Sequence, residues 1–253
     1  MSRTDYESIA ASYDTRYEQI GYDGSAHVVA KLLCSFPAAT VLEVGCGTGH
    51  WLAALRDRGC AVTGIDTSQS MLAKAREKLP DIELTWGRAE KLPWPAGSFD
   101  RVLCVNALHH FEDARAFIRE ARRVLRPGGL LLNMGLDPHT REDRWFVYDY
   151  FVGTRATDEA RFAPTALIRD WMREAGLSQT ETQVAWRFNW THDYRGAIDP
   201  KSTSQLSNLN NREFEAGMAL LAASHRKVIE AGETLPLIVD LRLVATRGWV
   251  PET

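Results

Sequence analysis

Two carboxylates and three glycines carry the clearest chemical signal in this chain. Glu43 lies in the run Val41-Leu-Glu-Val-Gly-Cys-Gly-Thr-Gly49, and Asp66 ends the run Ala61-Val-Thr-Gly-Ile-Asp66. Gly45, Gly47 and Gly49 alternate directly after residues of strand character, and His50 to Arg58 follows with helical spacing before Gly59. A strand, a glycine turn and a helix make a nucleotide-binding corner. Glycine admits positive φ and lets a ligand lie against the main chain, and the helix start offers unpaired N–H groups. A carboxylate at the tip of the second strand, Asp66, stands where a ribose diol would be held.

The dinucleotide fingerprint is G-x-G-x-x-G, whereas the spacing here is G-x-G-x-G. That disfavours a nicotinamide oxidoreductase. Glu43 adds a second constraint, because a carboxylate at the end of a buried strand is costly unless something pairs with it. A pyrophosphate would raise that cost and a cation would offset it. S-adenosylmethionine (SAM) carries an ammonium, a sulfonium and a ribose diol, and no phosphate.

At this point the residues resemble a known family. Glu43-Val-Gly-Cys46-Gly-Thr-Gly49 resembles the first motif of class I SAM-dependent methyltransferases, and Gly64-Ile-Asp66-Thr67-Ser-Gln-Ser-Met71-Leu their second. Gly87-Arg88-Ala89-Glu90 to Asp100, continuing to Asn106-Ala-Leu-His109-His110-Phe, is similar to the third and fourth. Glu120 to Gly129 is similar to the segment leading into the fifth strand. The subgroup that includes the ubiquinone and menaquinone methyltransferases is the nearest in pattern, over roughly residues 5 to 135.

The resemblance implies a set of cofactor contacts. Gly45, Gly47 and Gly49, with Cys46 between them, let the main chain approach the methionine and ribose parts, with Glu43 near the cationic end. Asp66, followed by Thr67, takes the ribose, Met71 packs on the adenine, and Asn106 offers its carbonyl to the ammonium. His109 lines the cofactor, and Tyr13 closes over it. Arg88 departs from the subgroup, which usually has an aspartate there; an arginine cannot accept a hydrogen bond. Either backbone groups near Ala89, or Glu90, read the adenine edge, or Arg88 simply points to solvent. For Met71 the alternative is an ordinary helix core residue, and for Asp66 a helix cap.

Methyl transfer from a sulfonium is an in-line displacement that needs the acceptor held about 3–3.5 Å away and water excluded. A base is required only where the acceptor has a proton to lose. His110 after the fourth strand, and Asp137 and His139 after the fifth, are the candidates, histidine titrating near neutrality. No metal is expected. The aromatic cluster at 145–151 and the run Trp186-Arg-Phe188-Asn-Trp190 either line an apolar acceptor site or pack a lid on the sheet.

The elements that must position these groups follow from pattern. Strands are expected at 41–45, 61–66, 82–86, 100–105 and 130–134, and helices at 50–58, 69–79 and 113–125, with Ser68 capping the second. The alternation predicts an α/β, doubly wound, mostly parallel sheet, and the resemblance makes it a seven-stranded Rossmann-like methyltransferase fold. The last two strands are placed at 180–190 and 236–246. One domain over 1–253 is expected, its core about 38–135, 165–194 and 235–250. A cap is built from 1–37, 136–164 and 195–234, since long insertions in compact domains are often lids.

Composition sets the outer bounds. Apolar residues are 45% of the chain, enough for a sizeable core, and the net charge is −3 with both signs interspersed. That argues against nucleic-acid partners, which call for a basic face. No apolar run reaches membrane-spanning length and no signal-peptide core is visible, so a cytoplasmic protein without membrane insertion is expected. The four cysteines show no zinc or C-x-x-C spacing. The expected activity is methyl transfer from SAM, releasing S-adenosylhomocysteine, to an O, N or C atom of a small-molecule acceptor such as an aromatic or natural-product intermediate. A SAM-binding sensor or partner protein without transfer activity is the alternative. The sequence leaves the oligomeric state open.

Overall fold

The computed structural model describes Glu7, Asp14 and residues 23–33, 39–199 and 203–252. The expectation for Tyr13 lies outside the described residues, as does that for the cap at every other position of 1–37 not among them. A helix α1 (Asp23–Leu33) precedes a regular alternation: β1 (Thr40–Val44), α2 (His50–Arg56), β2 (Ala61–Asp66), α3 (Gln69–Lys78), β3 (Glu83–Trp86), β4 (Phe99–Val105), α4 (Ala114–Val124) and β5 (Leu125–Gly135). The expected helix starts hold for a local reason. Ser68 Oγ accepts the Met71 N–H at 3.2 Å, and Asp113 accepts the Ala116 N–H at 2.8 Å, each satisfying an orphan donor of the first turn.

The second half is less regular. It holds β6 (Arg144–Trp145), α5 (Phe146–Tyr150), α6 (Thr154–Arg161), α7 (Thr165–Glu174), β7 (Ser178–Asp193), α8 (Ser204–Ser207), α9 (Asn211–Glu230) and β8 (Pro236–Trp249). The sheet order is β3-β2-β1-β4-β5-β8-β6, with β7 also on β8. Strands β1 to β5 are parallel, and β8 runs antiparallel to its three neighbours.

Among the described residues the sheet has eight strands, not the seven expected. The reason is the length of β8. Its Val244–Trp249 half pairs with β5, and it then runs on past the end of that strand. Val239 and Asp240 on the overhang pair with Trp145 and Arg144, which makes the short extra strand β6. β7 covers the other edge of β8 along its whole length.

Successive strand residues point to opposite faces, and both faces are buried. Leu42, Val102 and Leu131 join Phe117, Ile118 and Val124 of α4 and Met172 of α7. Val41, Leu103 and Leu132 join Val29 and Leu33 of α1 on the other face. That second cluster continues without a break into Trp145, Phe146, Val147, Phe151, Leu206 and Leu221. Described residues of the expected cap segments 136–164 and 195–234 thus pack on the sheet through its β8 end. Helix α9 approaches α5 closely at Gly217, where an added Cβ would lie 2.2 Å from the Phe151 ring. Two described residues nearer the N-terminus contact the core. Glu7 accepts the Ser70 N–H at 3.1 Å, and Asp14 accepts the Thr48 hydroxyl at 2.5 Å and pairs with Lys78.

Candidate active site

A cavity of about 690 Å³ opens at the carboxyl ends of the parallel strands, within the size range of small-molecule sites. Its floor is the turn after β1. Gly45, Gly47 and Gly49 all have positive φ, at 75°, 52° and 79°, yet they serve different ends. A Cβ on Gly45 would meet Ala107 Cβ at 2.5 Å, and one on Gly49 would meet Leu79 at 2.7 Å. These two glycines allow close packing. A Cβ on Gly47 would meet nothing within 4 Å and would project into open space. At Gly47 the main chain lies bare toward the cavity. Gly49 does not line the cavity; it is the N-cap of α2.

Two carboxylates face this floor. Glu43 is 1% exposed, and its Oε2 has no hydrogen-bond partner. Burial, helped by the negative charge of Asp66, pushes its pKa well above the ordinary carboxylate range. Asp66 is raised too, by burial, against the opposing effect of the Ser68 and Gly47 N–H groups. Those groups fix its orientation: Oδ2 accepts from Gly47 and Oδ1 from Ser68, both at 2.8 Å. An orphaned buried carboxylate oxygen, a second carboxylate with lone pairs to spare and a bare stretch of main chain together suit a ligand with a cationic end and a diol. They suit SAM, and they would repel a pyrophosphate.

The other expected cofactor contacts sort cleanly. Cys46, Thr67, Met71, Arg88, Ala89, Glu90, Asn106 and His109 line the cavity with Glu43, Gly45, Gly47 and Asp66. Met71 is buried at its wall. Asn106 sits in the left-handed region at φ 50°, which asparagine tolerates better than most residues, and its N–H donates to the Met134 carbonyl at 2.8 Å. Arg88 is half exposed on the cavity rim. It pairs with Glu112 and, at 3.4 Å, with Glu90 on the cavity rim. Glu90 in turn accepts the Glu112 and Asp113 N–H groups at 2.8 and 3.2 Å. Trp86, which the sequence did not single out, stands exposed on this rim with its indole N–H on the Thr67 carbonyl at 2.9 Å.

The candidate acid–base groups divide. His110 lines the cavity beside His109, which stacks on Phe162 at 3.9 Å. Asp137 and His139 do not line it. Asp137 is buried and accepts the N–H and hydroxyl of Thr165 at 2.9 and 2.8 Å, and the His139 N–H at 3.2 Å. It anchors the start of α7. His139 is exposed, with Nε2 2.7 Å from the Phe162 carbonyl. A short polar run after a strand reads the same in sequence whether it caps a turn or does chemistry.

Beyond the histidines the cavity is walled by Leu136, Trp145, Phe162, Phe188, Leu241 and Leu243. Of the alternating aromatics on β7 only Phe188 reaches it; Trp186 and Trp190 are half-buried against the neighbouring cluster. Leu241 and Leu243, which the sequence did not single out, share one face of an alternating strand, a signal that could have found them. Thr203, Ser204 and Gln205, at the far end, carried no such signal.

Known proteins agree with this geometry. Residues 42–133 match the family described as a methyltransferase domain. A demethylmenaquinone methyltransferase of Beutenbergia cavernae is 31% identical over 72% of this chain and 81% of its own. An uncharacterized methyltransferase of Bacillus subtilis, YcgJ, is 31% identical over 70% and 73%. The solved structure of a candidate methyltransferase from an antibiotic biosynthesis pathway of Anabaena variabilis superposes with a TM-score of 0.69. It is 25% identical and covers 87% of this chain and 95% of its own. With further demethylmenaquinone methyltransferases the match spans only 55–58% of their length. Four sequence motifs, the sheet that aligns them and full-domain relatives converge: the chain belongs to the class I SAM-dependent methyltransferases, in the menaquinone-like subgroup.

Proposed function

We propose that the protein methylates an uncharged, largely apolar small molecule, at an oxygen, nitrogen or carbon atom, in the chamber beyond His109 and His110. SAM supplies a methyl group on a sulfonium, a carrier that leaves as a neutral thioether. The chain supplies placement. Asp66 holds the ribose diol, Gly47 leaves room for the ligand against the main chain, and Glu43 balances the cationic end. The wall of Trp145, Phe162, Phe188, Leu241 and Leu243 excludes water and presses the acceptor toward the floor. His110 stands at the junction and takes a proton where the acceptor has one to lose.

The observation that carries this reading is the continuity of one cavity from the Glu43–Asp66 floor to an apolar wall. A protein that only sensed SAM would have no use for the second half. The test is a turnover assay reading S-adenosylhomocysteine with a panel of lipophilic phenols, quinols and amines. Turnover with a neutral apolar acceptor, reduced at least tenfold in His110→Ala for hydroxyl acceptors, is the expected result. Tight SAM binding with no turnover across the panel would favour a binding protein instead.

A further inference from the structure

Among the described lining residues, Thr203, Ser204 and Gln205 interrupt the apolar wall of the cavity away from its carboxylate floor. Gln205 lines the cavity there and is only 8% exposed. Its amide is fixed from behind. Nε2 donates to Asp158 Oδ2 at 2.8 Å, and Oε1 accepts the Ser204 hydroxyl at 3.1 Å. Asp158 is itself completely buried. The same Oδ2 accepts the Tyr148 hydroxyl at 2.8 Å, and Arg161 lies 3.5 Å from Oδ1. Three separate segments of the cap thus share one network: α5 gives Tyr148, α6 gives Asp158 and Arg161, and α8 gives Gln205 and Ser204, the last two lining the cavity. A buried polar network is costly unless it is satisfied, and a structural role alone would not need to end at a cavity wall.

We propose, resting on the acceptor-chamber reading above, that Gln205 is the specificity-determining residue for the acceptor, that it reads a neutral hydroxyl on an apolar body, and that Asp158 and Tyr148 are its positioning residues. The amide's capacity decides the ligand group. After Asp158 and Ser204 are served, Gln205 keeps one N–H and one lone pair. A hydroxyl donates and accepts, so it uses both. A carbonyl or ether uses only the N–H. A carboxylate or ammonium would bring a charge into a wall with no partner for it. Among the described lining residues the carboxylates and guanidinium are Glu43 and Asp66 at the floor and Arg88, Glu90 and Glu112 at the rim; none belongs to the apolar wall beside Gln205. The network also orients the amide, because the Asp158 oxygen that takes the Tyr148 hydroxyl can only accept from Gln205.

The test uses three probes of one shape: 2-naphthol, 2-methylnaphthalene and 2-naphthoate. Each is titrated into the full chain saturated with S-adenosylhomocysteine, and binding is followed by tryptophan fluorescence. The wild-type protein should prefer naphthol to methylnaphthalene by about tenfold and bind naphthoate least. Gln205→Met, which keeps the length of the side chain, should bring naphthol and methylnaphthalene within about twofold while S-adenosylhomocysteine affinity stays unchanged. Tyr148→Phe, which touches no ligand, should lose part of the same preference, a ratio that a merely structural tyrosine would not move; it also serves if Gln205→Met does not fold. Retention of the full naphthol preference in the folded variants overturns the proposal. Failure of the wild-type protein to bind S-adenosylhomocysteine would strike the methyltransferase reading instead, and the naphthol preference measured without it would still decide the role of Gln205.

Discussion

At the scale of single residues, Asp66 and Glu43 do different work although both are carboxylates of one floor. Asp66 is already oriented by the Gly47 and Ser68 N–H groups, so Asp66→Ala removes a preset acceptor pair. SAM affinity measured by calorimetry should fall by about 1.5–3 kcal/mol, the range for hydrogen bonds to charged groups, with the fold retained. Burial pushes the Glu43 carboxyl well above the ordinary carboxylate range. A carboxyl whose pKa is raised by folding stabilises the native state below the ordinary carboxylate range and loses that contribution as pH rises through the folded value. The free protein should therefore gain melting temperature at pH 8 on Glu43→Gln. A cationic ligand needs the ionised form, so SAM binding should release protons and tighten with rising pH. Calorimetry in two buffers of different ionisation enthalpy reads that release, and Glu43→Gln should abolish it while weakening binding. These residues were legible in the sequence because the first two motifs are local: the spacing of a few neighbours fixes both turn and carboxylate. Asp137 and His139 were not separable from catalytic groups, because their partners, Thr165 and the Phe162 carbonyl, lie more than twenty positions away.

At the scale of elements, the strand–helix alternation was readable through β5 because each element carries its own stop and start, as Ser68 and Asp113 show. Beyond it β7 and β8 fall where the last two strands were expected, but β6 was not readable, because it depends on one strand overrunning another. No periodicity in 236–249 reveals that β5 ends opposite Val244, and hence none reveals β6. Helix α9 supplies a test of how firmly the cap is packed. Alanine in place of glycine in a solvated helix stabilises by about 1 kcal/mol. At Gly217 the new Cβ would lie 2.2 Å from a Phe151 ring that is itself 1% exposed, and overpacking costs typically 1–3 kcal/mol. The clash wins, so Gly217→Ala should lower stability in urea titrations, whereas an unaltered midpoint would mean that α9 floats free of α5.

At the scale of the whole molecule, the parts are unequally tied. The cap helices share the main apolar cluster with the sheet, whereas the described N-terminal residues Glu7 and Asp14 are held by hydrogen bonds and an ion pair at exposed or half-buried sites. Hydrogen exchange should therefore be slow around Leu221 before any ligand is added, and SAM should slow it chiefly in peptides that cover Glu7 and Asp14. Strand β8 has a further consequence. It is clasped along both edges, by β7 on one and by β5 and β6 on the other, yet it is joined to α9 by an exposed turn at Gly232. A chain cut there would lack its central splint and present two raw sheet edges, which is a template for aggregation. Residues 233–253 added as a separate peptide would close both at once. The protein should therefore behave as a two-piece lock: the 1–232 fragment insoluble alone, and soluble with SAM affinity regained when the peptide is co-expressed.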